Sequence, residues 1–182
     1  MSFLDLVKAR QSVREYLDKP VEREKIERCL EAARLAPSAT NAQPWKFIVI
    51  DKSELKEKVA KMTFNSIAYF NKFSLKAPVL ILVISESPNV VHKIAQKIKN
   101  KSFILIDIGI ATEHLCLQAV EEGLGTCILG WFDEKGIKKL LNIPDQERIE
   151  LIVTMGYPVD LFIFPKKRKT LDQIRGYNSY SL

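Results

Sequence analysis

Two spacings of apolar residues alternate along the chain, and their order lays out the elements. Phe3, Leu6 and Val7 share one stripe behind Ser2, whose hydroxyl can accept from a free amide while Asp5 supplies the acidic third position, so a first helix is predicted to start at Ser2. Ile26, Cys29, Leu30 and Ala33 recur at helical spacing and predict a second helix over about 22–36, stopped by Pro37. A strand over 46–50, a capped helix from Ser53 to about residue 62 and a strand over 78–84 buried on both faces follow. The longest helix is predicted over 102–122, with Phe103, Ile106, Ile110 and Leu117 on one side and apolar residues on most others, which suits a central position. Gly123 is placed to end it in a left-handed turn. A strand over 126–131, a helix over 134–141 before Pro144 and a strand over 149–155 complete the pattern. Helices and strands mix without strict alternation, which predicts α+β layers rather than a doubly wound parallel sheet.

The composition adds bounds to this pattern. With 182 residues, 47% apolar and 27% charged, the chain is predicted to form one domain over 1–182, with an irregular tail from about Val159. A core of that size needs neither a disulfide nor a metal to fold. The three cysteines, Cys29, Cys116 and Cys127, form no CxxC pair, and the start of the chain does not read as a signal peptide. The purely apolar run from Ala77 to Ile84 is far shorter than the roughly 20 residues a membrane helix needs. A soluble, cytoplasmic protein with no membrane partner is expected. The formal charge of +6 is spread along the chain among acidic residues, apart from Pro165-Lys166-Lys167-Arg168-Lys169. A solvated surface or a site for one small phosphate explains this better than a nucleic-acid groove.

Chemistry concentrates in two segments. In Arg10-Gln11-Ser12-Val13-Arg14, an extended backbone puts alternate residues on one side, roughly 7 Å apart. Arg10, Ser12 and Arg14 can then turn two guanidinium forks and a hydroxyl toward one phosphate. Taken alone, the same residues read more simply as a solvated basic turn. Ala36-Pro37-Ser38-Ala39-Thr40-Asn41-Ala42-Gln43-Pro44-Trp45 gathers two prolines, two hydroxyls, two amides and an indole between a helix and a strand. That set is suited to the edge of a flat heterocycle, and the plainer alternative is a polar loop beside a core tryptophan.

Three further patterns carry less. Gly123-x-Gly125 with Gly130 has the wrong spacing for a dinucleotide fingerprint and opens a strand rather than a helix. Cys127 with His114 lacks a third orienting group, so a core cysteine is expected. His92 and His114 lack the neighbours of a metal site.

In order along the chain stand Arg10-x-Ser12-x-Arg14, Pro37-Ser38-x-x-Asn41-x-Gln43-Pro44-Trp45, Gly123-Leu124-Gly125-Thr126-Cys127, Met155-Gly156-Tyr157-Pro158 and Pro165-Lys166-Lys167-Arg168. Together they closely resemble the FMN-dependent nitroreductase family, over nearly the whole chain from Phe3 to about Ile174. The resemblance implies a three-layer α+β sandwich, a central mixed or antiparallel sheet flanked by helices, that dimerises through its long helix with FMN in a cleft both subunits build. By motif match Arg10, Gln11, Ser12 and Arg14, with Lys166 and Arg168 of the tail, would hold the phosphate. Pro37, Ser38 and Asn41 would reach the isoalloxazine and ribityl region from the partner chain. Leu129 and Gly130 match the place where family members offer backbone amides near the reactive flavin nitrogen, and Asn71 matches a flavin-contacting amide.

The chemistry would then belong to the flavin, which accounts for the absence of an acid–base dyad in the motifs and of any protein residue in a catalytic role. A two-step shuttle is expected: NADH or NADPH delivers a hydride and leaves, and a nitroaromatic, quinone or related small acceptor takes its place. Donors near the flavin's pyrimidine side would stabilise the charge that reduction leaves there. The stretch between Ile84 and Ser102 offers little material for a large substrate lid. Flavin-fragmenting or dehalogenating relatives, and a flavin-binding protein without turnover, are the alternatives.

Overall fold

A computed structural model describes residues 2–66, 69–86 and 102–180. His92 and most of the stretch between Ile84 and Ser102 lie outside the described residues. Five α-helices, α1 (Phe3–Ala9), α2 (Arg23–Arg34), α3 (Ser53–Lys61), α4 (Phe103–Glu121) and α5 (Glu134–Leu141), and four strands, β1 (Trp45–Ile50), β2 (Val79–Ser85), β3 (Gly125–Leu129) and β4 (Arg148–Gly156), make up the described regular structure, with short 3-10 turns between them.

The strands lie in the order β1-β2-β4-β3, every neighbouring pair antiparallel. A single parallel bridge from Ser12 to Thr126 makes the sheet mixed. Successive side chains of a strand point to opposite faces, and β2, the most apolar strand, is buried along its whole length. Val79, Ile81 and Val83 pack with Ile26, Cys29 and Ala33 of α2 and Ile108, Ala111 and Leu115 of α4. Leu80, Leu82 and Ile84 pack on the other face with Val59 and Ala60 of α3 and Ile137 of α5. The result is the expected α+β sandwich of helices, sheet and helices.

The local signals act largely as read. Ser2 Oγ accepts from the Asp5 amide at 3.2 Å and donates to the Asp5 carboxylate at 2.5 Å. Gly123 adopts φ 73°, and the amides of Gly123 and Leu124 close onto the carbonyls of Val120 and Ala119, so two of the last carbonyls of α4 find partners. Three readings are corrected. Ser53 is the first helical residue of α3, and the cap position falls on Lys52, which makes no side-chain bond to the helix. β3 stops at Leu129 because its last ladder pair is Leu129 with Ile152. The buried face of α4 carries Ile104, Asp107, Ile108, Ala111 and Leu115, while Leu105 and Ile106 are 51% and 52% exposed. A helix apolar nearly all round has no stripe from which to read its inward face.

On length and composition α4 would suit a bilayer; its inward face is instead built into the core. Nothing in α1 is buried, and Phe3 is 72% exposed.

Glu122, at the carboxyl end of α4, ties that helix to α2. Arg28 grips its carboxylate with a fork of 2.6 and 2.7 Å bonds, and Gln118 donates to it at 3.0 Å. The Arg28 bond, aided by Gln118 and outweighing partial desolvation, pulls the Glu122 pKa from 4.5 to about 2. A depressed carboxylate contributes stability that is present above its unfolded pKa and lost as the pH falls through the folded one. Urea unfolding should therefore show Glu122→Gln less stable than wild type at pH 6, with the gap closing between pH 4.5 and 2. Because Arg28 is exposed, the effect should also shrink in high salt. A gap that stays constant with pH would remove the ion pair from the account.

Candidate functional site

The chain leaves α1 at Arg10 and runs extended to Tyr16 along one side of the sheet. The Val13 amide donates to the Thr126 carbonyl at 2.9 Å, which seats the segment beside β3. Ser12 and Arg14 are exposed and Val13 turns inward, as the alternation predicts. Arg10 Nε stands 3.6 Å from Glu113 of α4, and Arg14 lies 5.9 Å over the Phe73 ring with one long bond, 3.4 Å, to the Ser12 carbonyl. Five N–H donors per guanidinium leave both forks with capacity for an anion.

The tail returns to the same place. Lys166 donates to the Val7 carbonyl at 3.1 Å and to the Lys8 carbonyl, so its ammonium caps the carboxyl end of α1. Burial, then the charges of Arg10 and Arg168 beside it, lower the Lys166 pKa. Cys127, on β3 beneath the segment, has its thiol pKa pushed up by burial against the opposing pull of Arg14, a Ser12 hydrogen bond and Arg10. The structure thus gathers Arg10, Ser12, Arg14, Lys166 and Arg168. Beside them is a groove of about 370 Å³ lined by Gln11, Ser12, Arg14, Glu15, Asp160 and Phe164. A larger hollow of about 740 Å³, lined in part by Lys135, Lys138 and Lys139, contains no motif residue. Lys138 is engaged there with the Asp145 and Glu147 carbonyls.

Gln11 has a different task in this arrangement. Its amide donates to the Phe162 carbonyl at 2.8 Å and accepts from the Phe164 amide at 3.2 Å, so it clamps the tail. Asn71, 4% exposed, donates to the carbonyls of Thr63 and Trp131, both at 3.1 Å. It therefore pins the chain just beyond Leu129, which is buried, and Gly130, which is exposed.

The Pro37–Asn41 segment stands apart from the cations. It leads into β1, whereas Arg10–Arg14 flanks β3, and these are the two edges of the sheet, about 14 Å apart at ordinary strand spacing. Among the described residues no hydrogen bond, ion pair or ring contact joins the two segments. Thr40, Asn41 and Gln43 all hold positive φ, at 52°, 55° and 47°. Non-glycine residues persist there only when their surroundings over-determine the backbone, a condition that recurs at ligand clamps. Beside the backbone bonds of the turn itself, Ser38 Oγ accepts from the Gln43 amide at 2.9 Å, and the buried Asp107 carboxylate of α4 accepts from the Ala39 amide at 3.1 and 3.2 Å.

Sequence reasoning missed Asp107 and Glu113, the acids of α4 that meet the loop and Arg10. The cue was available: an aspartate inside Phe103-Ile104-Leu105-Ile106-Asp107-Ile108 is costly to bury unless partnered. The Cys127–His114 pair is correctly absent, since His114 faces the Ala32 carbonyl of α2 at 3.2 Å while Cys127 belongs to the cluster on the other sheet face.

The fold thus sets a cluster of cations at one sheet edge and an uncharged polar loop with left-handed backbone at the other. Comparison with known proteins gives the family. The model of the nitroreductase family matches residues 7–157, and the chain belongs to that family, whose members support a general oxidoreductase role. A nitroreductase family protein from Clostridium novyi NT is 33% identical, with a TM-score of 0.77 over 88% of this chain and 87% of that one. An FMN-dependent nitroreductase from Clostridium difficile is 27% identical, with a TM-score of 0.76 over 98% of this chain and 100% of its own. An iodotyrosine deiodinase from Thermotoga neapolitana is 28% identical over 86% of this chain and 88% of its own.

Proposed function

We propose that this chain is an FMN-dependent oxidoreductase that draws electrons from NADH or NADPH and passes them to a nitroaromatic, quinone or similar small acceptor. It would work as a cytoplasmic homodimer with FMN at the interface. The observation that carries the reading is the gathering of Arg10, Arg14, Lys166 and Arg168 from opposite ends of the chain beside the groove that Ser12 and Arg14 line, within a nitroreductase-family fold.

The residues suit the group. Arg10 and Arg14 keep donors for a phosphate, with the Ser12 hydroxyl between them. Gly130, exposed beyond the last ladder pair of β3, would offer its backbone amide to the flavin ring, and Asn71 fixes the Trp131 carbonyl next to it. Ser38 and Asn41 present uncharged polar groups on a rigid turn. Because that turn and the grip lie at opposite edges of one sheet, a second copy is the natural source of one of them. Exposed apolar residues on α1, α4 and the tail, including Phe3, Leu105, Ile106 and Phe162, give such a pairing a surface. The unpaired thiols Cys29, Cys116 and Cys127 suit a reducing compartment. Bound FMN would supply the redox chemistry, taking electrons from the nicotinamide and giving them to the acceptor in alternate half-reactions.

Purified protein reconstituted with FMN should show a flavin spectrum and sediment as a dimer, and its oxidised band should fall on anaerobic addition of NADH or NADPH. A nitroaromatic, a quinone and iodotyrosine, offered in turn, should restore the band to different extents. Recovery with iodotyrosine alone would favour the dehalogenating reading suggested by the Thermotoga relative, and a band no nicotinamide bleaches would leave a flavin binder. Protein that stays colourless with FMN overturns the proposal.

A further inference from the structure

The grip depends on residues that never reach the groove. Tyr16 is buried where Ser12 and Arg14 are exposed, so the extended segment breaks its alternation just past the second arginine and drives a phenol into the fold. The Tyr16 hydroxyl donates to the Val13 carbonyl at 2.7 Å, the peptide oxygen directly between Ser12 and Arg14. It lies equally close, 2.7 Å, to Thr154 Oγ1 of β4, which is itself 3.2 Å from the Cys127 carbonyl. Tyr16 donates to the Val13 carbonyl, and the Thr154 hydroxyl, within reach of both the Tyr16 oxygen and the Cys127 carbonyl, links the phenol to β3 and β4.

Two glycines make the approach possible. Gly125 and Gly156 face each other across β3 and β4. A methyl group on Gly125 would stand 2.5 Å from Val13 Cγ2, and one on Gly156 would stand 2.9 Å from Tyr16 Cδ1. The Val13 side chain therefore seats on one glycine and the Tyr16 ring on the other. Flanking backbone bonds, Val13 to Thr126 at 2.9 Å, Leu17 to Tyr157 at 2.9 Å and Val159 to Glu15 at 3.1 Å, fix the register on both sides.

We propose that Tyr16 and Thr154 are positioning residues for the phosphate grip: their hydroxyl chain sets the Val13 peptide, and through it the directions in which Ser12 and Arg14 leave the backbone. The inference rests on the FMN reading above. It predicts a selective defect, since misdirected donors weaken the hold on the phosphate while the contacts to the flavin ring stay in place.

Tyr16→Phe keeps the ring on Gly156 and removes the hydroxyl; Thr154→Val keeps the shape and removes the other. Fluorescence-quenching titrations with FMN and with riboflavin, which lacks the phosphate, give each protein a preference ratio. In both variants the preference for FMN should fall about three- to tenfold, the scale of one hydrogen bond, with riboflavin affinity within about twofold of wild type. Ile137→Val, a buried change on α5 that removes no hydrogen bond, should lower the thermal midpoint and leave the ratio unchanged. A preference preserved in both hydroxyl variants, or reduced as much by Ile137→Val, overturns the assignment while the FMN reading stands. A wild-type chain that binds neither flavin overturns both.

Discussion

Arg14→Ala is expected to weaken FMN binding by roughly 1.5–3 kcal/mol, about 10- to 150-fold, the scale of hydrogen bonds to a charged group. Arg14 is held less firmly by protein partners than Arg10 or Lys166. Its one hydrogen bond, to the Ser12 carbonyl, is long at 3.4 Å, and its stacking on Phe73 orients the guanidinium without using its N–H donors. Arg10 already shares its charge with Glu113, and Lys166 is held by the end of α1, so alanine at either should cost less. Arg14→Lys should recover only part of the loss, because an ammonium cannot form the paired bonds of a guanidinium. Equilibrium dialysis against FMN at low salt and at 0.15 M measures both effects, and the loss should be smaller at the higher salt. Flavin retention unchanged in Arg14→Ala would remove the phosphate assignment.

What could be read from the sequence divides along a physical line. Signals that act within a few residues are mostly legible: the Ser2 cap, the stop at Gly123 and the two-faced burial of β2 follow from local backbone chemistry and a continuous apolar run, while the cap expected at Ser53 falls on Lys52. The inward face of α4 is not legible, because nearly every candidate residue there is apolar, and the choice falls to what α2 and the sheet present. The site followed the same rule. Ser12 and Arg14 were legible from spacing because extended backbone alternates, and the basic tail was legible as charge density. That Gln11, at the edge of the groove, spends its side-chain amide on clamping the tail at Phe162 and Phe164 requires knowing that a segment about 150 residues away returns to it. For Asp107 only half is legible: an aspartate in an apolar helical run signals a buried partner, but that partner is the Ala39 backbone amide, which no side-chain motif announces.

Asp107 carries the other large expected effect. Its carboxylate is buried in α4, and both oxygens lie within 3.2 Å of the Ala39 amide, so it anchors a turn whose neighbours Thr40, Asn41 and Gln43 all sit in the left-handed region. Such backbone costs on the order of 1 kcal/mol per residue and relaxes once its anchor goes. Asp107→Ala removes a charge-assisted bond and leaves the Ala39 amide without its acceptor, against which the relief of a buried charge works in the opposite direction. A net loss of roughly 1–3 kcal/mol in unfolding free energy is expected. Asp107→Asn keeps an oxygen for the amide at a similar place and should recover most of that stability. If Pro37, Ser38 and Asn41 serve the flavin ring, Asp107→Ala should also lower affinity for FMN and riboflavin alike, because the contact it disturbs is to the ring and not to the phosphate. Arg14→Ala should depress only the phosphate-bearing ligand. Parallel titrations of the two variants with both ligands therefore assign each end of the flavin to its own edge of the sheet, and equal losses for riboflavin in the two variants would break that assignment.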